Sequence, residues 1–237
     1  MRTIAAGIKT FTADFFSLIY PQLCPACDGP VYRHEKSLCT ACIHSLPRTG
    51  YHLQAGNPVS RLFYGRVPLE AAAAFLVFQK DGRVQQMIHQ LKYKGNRGVG
   101  VESGALFGTD LKKSPLFADV SCVIPVPLHS SKLRKRGYNQ AACFAEGIAS
   151  SMQISCDTGS LIRRKATATQ TRKNRFDRWQ NVEEVFAIGE SAHLENRHIL
   201  LVDDVITTGA TLEACAVKLL EIPGTRVSIA ALAAASL

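Results

Sequence analysis

The residues with the most chemical potential lie near the C-terminus, in His198-Ile-Leu-Leu-Val-Asp-Asp-Val-Ile-Thr-Thr-Gly-Ala-Thr211. Asp203 and Asp204 offer adjacent carboxylates, and Thr207, Thr208, Gly209, Ala210 and Thr211 follow as small and hydroxyl residues. Such a run can wrap one small anion. Glycine permits a tight turn, successive backbone N–H groups converge on a phosphate, and threonine hydroxyls assist. Two carboxylates beside a phosphate cradle repel the phosphate unless they face something else. A ribose diol meets that requirement, because carboxylates accept hydrogen bonds from hydroxyls while the cradle holds a phosphate at the sugar's other end.

The flanking elements must place these groups. Ile199 to Val202 is a short, continuous apolar run, β-branched at both ends, as expected of a strand buried on both faces. Asp203 and Asp204 then stand where ligands bind in an open α/β sheet, outside the carboxyl ends of the strands. Leu212 to Leu220 has helical apolar spacing, so the small-residue turn leads into a positive helix N-terminus. A buried strand followed by an ordinary Thr-rich turn is the plain alternative. The stretch resembles the phosphoribosyl pyrophosphate (PRPP) loop of type I phosphoribosyltransferases. That resemblance implies PRPP contacts from Val202, Asp203, Asp204, Thr207, Thr208, Gly209, Ala210 and Thr211.

A second constellation is Cys24-Pro-Ala-Cys27 and Cys39-Thr-Ala-Cys42, with eleven residues between the pairs. Two such knuckles can bring four thiolates tetrahedrally onto one structural zinc. Tandem CxxC pairs outside a βαβ context argue against a redox role, and the lack of an export signal argues against a disulfide framework. His34 and His44 lie nearby, but four cysteines leave them no vacancy. Cys122, Cys143, Cys156 and Cys215 lie in apolar segments and read as core residues.

At 237 residues the chain can hold one α/β domain and a small appendage. Its 46% hydrophobic and 20% charged content fits a soluble globular protein. The net charge of +9 admits nucleic acid, an anionic membrane surface or a heavily phosphorylated small ligand as partner. No stretch approaches the roughly 20 apolar residues of a membrane span. Asp14 interrupts the N-terminal apolar run, and Ile4, Ile8, Phe11, Phe15 and Leu18 recur at helical spacing. An amphipathic helix docked on the domain is expected there, with a membrane-surface helix as the alternative and the cytoplasm as location.

Three divisions follow: residues 1–47 as N-terminal helix and zinc module, 48–69 as linker and 70–237 as the α/β domain. Pro47, Gly50, Gly56, Pro58, Gly65 and Pro68 suggest the linker. Ala71 to Phe78 reads as a strand. Val84, Met87, Ile88 and Leu91 give the next helix its buried stripe, with Gly95 at its end. Lys92, Lys94 and Arg97 around that end are read as pairing with the helix C-terminus rather than with a ligand. A second helix is expected from about Val99 to Lys113, and a strand over Val120 to Val126.

Two basic regions remain. Leu128-His-Ser-Ser-Lys-Leu-Arg-Lys-Arg136 reads as a loop between a strand end and a helix N-terminus, a good place for an anion. Residues 163–181, from Arg163 to Asn181, form a long polar basic stretch of the kind that is either a functional lid or disordered, and a lid is the favoured reading. A lid would exclude water from an oxocarbenium-like centre while its arginines stabilise a leaving anion. A solvated charged face is the alternative for any single arginine.

Together, Pro125-Val-Pro-Leu-His129, Arg136-Gly-Tyr-Asn-Gln140, the Gln170 segment, Arg178-Trp-Gln-Asn-Val182 and the Asp203 loop resemble the ComF family. That family is phosphoribosyltransferase-like, bears an N-terminal double CxxC and is associated with DNA uptake in competent bacteria. The resemblance implies a type I phosphoribosyltransferase-like parallel sheet flanked by helices, with a small zinc module. The transferase reading of that resemblance takes PRPP with Mg²⁺, which prefers oxygen donors and commonly bridges phosphates, and an unidentified nucleobase or amine as acceptor. It places pyrophosphate on Leu128, His129, Ser130, Lys132, Arg134, Lys135 and Arg136. Asp203 and Asp204 would hold the ribose hydroxyls, and Arg164 and Arg175 would act from the lid. The competing readings are a non-catalytic accessory protein that contacts single-stranded DNA through its basic clusters, zinc knuckles and Trp179, and a structural partner of a DNA translocase through the zinc module.

Overall fold

The computed structural model describes residues 21–164 and 185–235. Five parallel strands form the central sheet: β1 (Ala72–Phe78), β2 (Cys122–Pro125), β3 (Ser155–Cys156), β6 (His198–Ile206) and β7 (Arg226–Ala235), in the order β1-β7-β6-β2-β3. An antiparallel pair, β4 (Leu161–Arg163) and β5 (Phe186–Ile188), stands apart. All-parallel pairing needs helical crossovers over both faces, and the apolar runs of the inner strands answer to that.

One face is covered by α3 (Arg83–Tyr93), α4 (Arg97–Lys112) and α6 (Gln140–Met152), and the other by α7 (Ala210–Leu220). Successive residues of β6 alternate between these cores: Leu200 and Val202 pack with Phe144 and Ile148, Ile199 and Leu201 with Leu212 and Cys215. Helices α4 and α6 meet through glycine. A Cβ on Gly147 would lie 2.0 Å from the Val101 carbonyl oxygen, so only glycine allows this approach.

The zinc-module sequence is part of the same core. Cys24, Leu38, Cys42 and Leu46 cluster with Met87, Ile88 and Leu91 of α3. Glu102 of α4 accepts hydrogen bonds from the amides of Ser37 (2.7 Å) and Leu38 (2.8 Å). The short helix α1 (Thr40–Ser45) follows Cys39.

Residues 48–69, expected as a linker, pack on the sheet. Asn57 is buried, its Oδ1 capping α2 (Pro58–Arg61) and its Nδ2 donating to the Ala72 carbonyl at 2.7 Å. Val59, Phe63 and Val67 are buried against β1 and α7. Their prolines and glycines shape turns in a packed segment.

The basic stretch 128–136 differs from expectation as well. Ser130–Arg136 is a helix, α5, with His129 as its N-cap and Gly137 left-handed at its end. None of its residues is buried, so it carries no apolar stripe that periodicity could reveal. Cys156 is exposed on the edge strand β3, unlike the buried Cys122, Cys143 and Cys215; the expectation of a core residue fails there because an edge strand leaves one side open. Among the described residues no helix is long and apolar enough to cross a membrane. The expected N-terminal helix lies outside the described residues.

Candidate functional site

Strands β2 and β6 are parallel neighbours, yet β2 leads through α6 to β3 on one side and β6 through α7 to β7 on the other. Where crossovers diverge, the strand ends open into a crevice suited to a ligand. Two chain segments border it: residues 126–130 after β2, and Thr207–Gly209 after β6. The Val126 amide donates to the Val202 carbonyl at 2.8 Å, and Asn139 Nδ2 donates to the Val126 carbonyl at 2.9 Å. The first segment is thereby fixed to both β6 and the start of α6.

β6 runs four residues past the apolar run, through Asp203 and Asp204 to Ile206. Alternation sends the two acids to opposite faces. Asp204 meets α3, where Lys92 Nζ lies 2.9 Å from its Oδ2 and 3.0 Å from its Oδ1. Lys92 thus has a partner beyond the helix end at which the sequence places it. The residue lies on the last turn of α3, but its amine reaches across to the strand end. Asp203 accepts the Asp204 amide at 2.8 Å. Burial first, then the Asp204 carboxylate, push the Asp203 carboxyl up to about 7, against the lowering influence of the Asp204 amide, Lys92 and Arg163.

After the acids, Thr207, Thr208, Ala210 and Thr211 are exposed and Gly209 is buried. Gly209 has φ 75° and serves as N-cap of α7. A small cleft of about 40 Å³ is lined by Asp203, Thr207, Thr208, Gly209, Ala210 and Thr211. A helix N-terminus with an exposed turn of amides and hydroxyls can receive one phosphate-sized anion. Beside it, a cavity of about 640 Å³ is lined by Phe78, Ile88, His89, Tyr93, Asp204 and Thr207 among others. Carboxylates, the threonine–glycine turn and a partly aromatic cavity thus adjoin.

Of the α5 residues, Lys132, Arg134 and Lys135 are exposed. Arg136 is tied down, with Nη1 2.7 Å from Gln140 Oε1 and its guanidinium 5.5 Å from the Tyr93 ring centroid. Leu128, His129 and Ser130 precede and open α5 at the mouth of the crevice. Arg164 donates its amide to the Val185 carbonyl at 2.8 Å, holding the two ends of the β4–β5 pair together. Its neighbour Arg163 lies over the Phe186 ring, and its charge, after that of Lys92, lowers Asp203. Arg175, the Gln170 segment and Trp179 lie outside the described residues.

Sequence reasoning missed two further contributors. The Phe63 ring packs under Gly209, and Arg66 Nη1 donates to the Thr208 carbonyl at 3.1 Å. The available signal was Asn57-Pro58, an N-cap followed by proline at the first helical position, which marks structure rather than linker.

At the other end, the sulfurs of Cys24, Cys27, Cys39 and Cys42 all lie within 4.8 Å of one another. Zinc–sulfur bonds of about 2.3 Å in a tetrahedron put sulfurs roughly 3.8 Å apart, so the cluster fits a four-thiolate metal. The Cys39 amide donates to Cys24 Sγ and the Cys42 amide to Cys39 Sγ, both at 3.4 Å, an arrangement that suits metal-bound thiolates. The Gly29 amide pulls the Cys27 thiol down, whereas burial pushes Cys39 and Cys42 up. Metal binding would remove those protons. With four protein donors a metal held there would have no open position, and its role would be structural.

Residues 139–236 match the phosphoribosyl transferase domain family, and the parallel sheet flanked by helices has a phosphoribosyltransferase-like architecture. Competence protein F of Haemophilus influenzae is 28% identical over 210 residues, covering 80% of this chain and 86% of that one. DNA utilization protein YhgH of Escherichia coli K12 is 25% identical over 201 residues, covering 84% of each. Among solved structures, glutamine PRPP amidotransferase from B. subtilis aligns over 60% of this chain with 18% identity and a TM-score of 0.41. The chain spans 30% of that enzyme's length. A Staphylococcus aureus hypoxanthine phosphoribosyltransferase aligns over 58% of this chain and 62% of its own, at 17% identity and a TM-score of 0.31.

Proposed function

We propose that the chain binds PRPP with Mg²⁺ at the β2–β6 switch point and transfers the phosphoribosyl group to a nucleobase or amine, in a role tied to DNA uptake. The observation that carries this reading is Asp203 and Asp204 at the end of β6, directly followed by the Thr207–Thr211 turn on α7. In it, Asp203 and Asp204 accept the ribose hydroxyls, and Thr207, Thr208, Gly209, Ala210 and Thr211 hold the 5′-phosphate. Leu128, His129, Ser130, Lys132, Arg134, Lys135 and Arg136 face the pyrophosphate. The carboxylates and the ligand's phosphates offer the hard oxygen donors that Mg²⁺ prefers, and the ion would neutralise charge on the leaving group.

Departure of pyrophosphate from the ribose C1 leaves an oxocarbenium-like centre. The protein's part is to align the acceptor, exclude water and hold the departing charge with fixed cations. The cavity bounded by Phe78, Ile88, His89 and Tyr93 lies beside Asp204, where an acceptor would approach the sugar.

Calorimetric titration of PRPP, with and without Mg²⁺, tests the reading beside an Asp203→Asn/Asp204→Asn variant. Mg²⁺-dependent binding that the variant loses is expected. A folded wild-type chain that binds no PRPP sinks it.

A second reading has its own support. Lys132, Arg134 and Lys135 form an exposed basic face on α5, and the similar proteins are named for competence and DNA utilization. In that case the chain is a non-catalytic accessory protein that binds single-stranded DNA or a DNA-uptake partner. Steep loss of DNA binding with added salt, independent of PRPP, would favour it.

A further inference from the structure

We infer that Arg66, on the segment between the cysteine module and the sheet, is a positioning residue for the phosphate cradle. This rests on the PRPP reading above. Arg66 touches three groups: Nη1 donates to the Leu62 carbonyl at 2.9 Å and the Thr208 carbonyl at 3.1 Å, and Nη2 pairs with the Glu213 carboxylate.

Two consequences follow for the turn. Thr208 lies within the anion-receiving run, and its carbonyl oxygen would repel a phosphate if the peptide rotated inward. Arg66 holds that oxygen on the far side. Glu213 lies in the first turn of α7, on the helix whose N-terminus would take the 5′-phosphate. An acid there satisfies the same positive helix end and so opposes a second anion. Its side chain is only 13% exposed, which limits solvent screening, and Arg66 is the cation set against it. Arg66 is itself held in place. Its amide donates to the Phe63 carbonyl at 3.0 Å, and the Phe63 ring packs under Gly209 in the same turn. The arginine serves the cradle from outside and touches no substrate.

An ordinary surface ion pair would affect stability alone, so the test separates the two ends of the ligand. Ribose 5-phosphate and inorganic pyrophosphate are titrated separately into the full chain with Mg²⁺. Arg66→Ala is expected to weaken ribose 5-phosphate roughly tenfold while pyrophosphate binding stays nearly unchanged. Arg66→Ala/Glu213→Gln should recover most of the loss, because the unpaired acid is gone. Arg66→Lys, which keeps charge but not the fork, should fall between wild type and Arg66→Ala. Equal losses for both ligands, or a double variant no better than the single one, would overturn the inference. A wild-type chain that binds PRPP with an indifferent Arg66→Ala defeats the inference alone, whereas a wild-type chain that binds neither PRPP nor ribose 5-phosphate defeats the PRPP reading with it.

Discussion

Lys92 clamps Asp204: its amine lies 2.9 Å from one carboxylate oxygen and 3.0 Å from the other, joining the last turn of α3 to the end of β6. The side chains are 21% and 15% exposed, so the pair is more sheltered than a surface ion pair worth almost nothing. Lys92→Ala should cost about 1–3 kcal/mol of unfolding free energy, since it leaves a half-buried carboxylate beside Asp203 without its cation. Urea denaturation near neutral pH reads that loss. The same change removes a charge that lowers Asp203, so Asp203 should titrate at higher pH in the variant. Unchanged stability together with an unmoved Asp203 titration, followed by carboxyl NMR, would refute the pairing.

Asp203 gives the chain a distinctive pH dependence. An unfolded Asp loses its proton near 3.9, while burial and Asp204 hold the folded one to about 7. Between those values the folded state binds more protons than the unfolded state, so this residue's contribution to stability declines as pH rises from about 4 through 7, then levels off. Asp203→Asn should abolish that decline. The variant is expected to match the wild type near pH 4 and to exceed it by about 1–3 kcal/mol at pH 8. Denaturation series at both pH values check the difference, in which the other titrating groups cancel. Affinity for PRPP with Mg²⁺ should move oppositely, rising with pH through 7, because the diol and the cation need the carboxylate.

Gly209 combines a left-handed backbone with a closed space. Its φ is 75°, and a Cβ there would lie 2.9 Å from two atoms of the Phe63 ring. Gly209→Ala should therefore cost about 1–3 kcal/mol. In Phe63→Leu the same substitution should cost less, because the steric share is relieved while the backbone share persists. A double-mutant cycle measures the two shares, and a coupling of zero would show that the ring does not oppose the Cβ.

The centre of the fold was legible in the sequence because two-sided burial writes itself as continuous apolar runs. Ile199–Val202 is such a run, and Leu212–Leu220 shows helical spacing. What escaped has identifiable causes. Asp203 and Asp204 hid the continuation of β6 to Ile206, since carboxylates at a strand end look like a loop. Helix α5 buries nothing, so only its capping residues, His129 and Gly137, could have disclosed it. Lys92 was read from its neighbours along α3, yet its partner lies 112 positions away, and only the crossover brings them together. The Asn57–Arg66 segment was masked by the glycines and prolines around it.

The cysteine cluster makes the last prediction, because its location decides how metal loss should appear. Cys24, Leu38 and Cys42 share one core with Met87 and Leu91 of α3, and Glu102 of α4 receives the Ser37 and Leu38 amides. A metal that orders the four thiolates therefore also supports the face of the α/β domain on which they pack. Purified chain should contain about one zinc, measured by plasma mass spectrometry, and Cys27→Ser should lose it. Chelation or Cys27→Ser should lower the midpoint of a single thermal transition followed by far-UV circular dichroism. A separate early transition, with the main one unmoved, would show that the module is only tethered. Because α3 also carries Lys92, metal removal should further disturb Asp204, and PRPP binding should weaken although the cysteines lie outside the crevice.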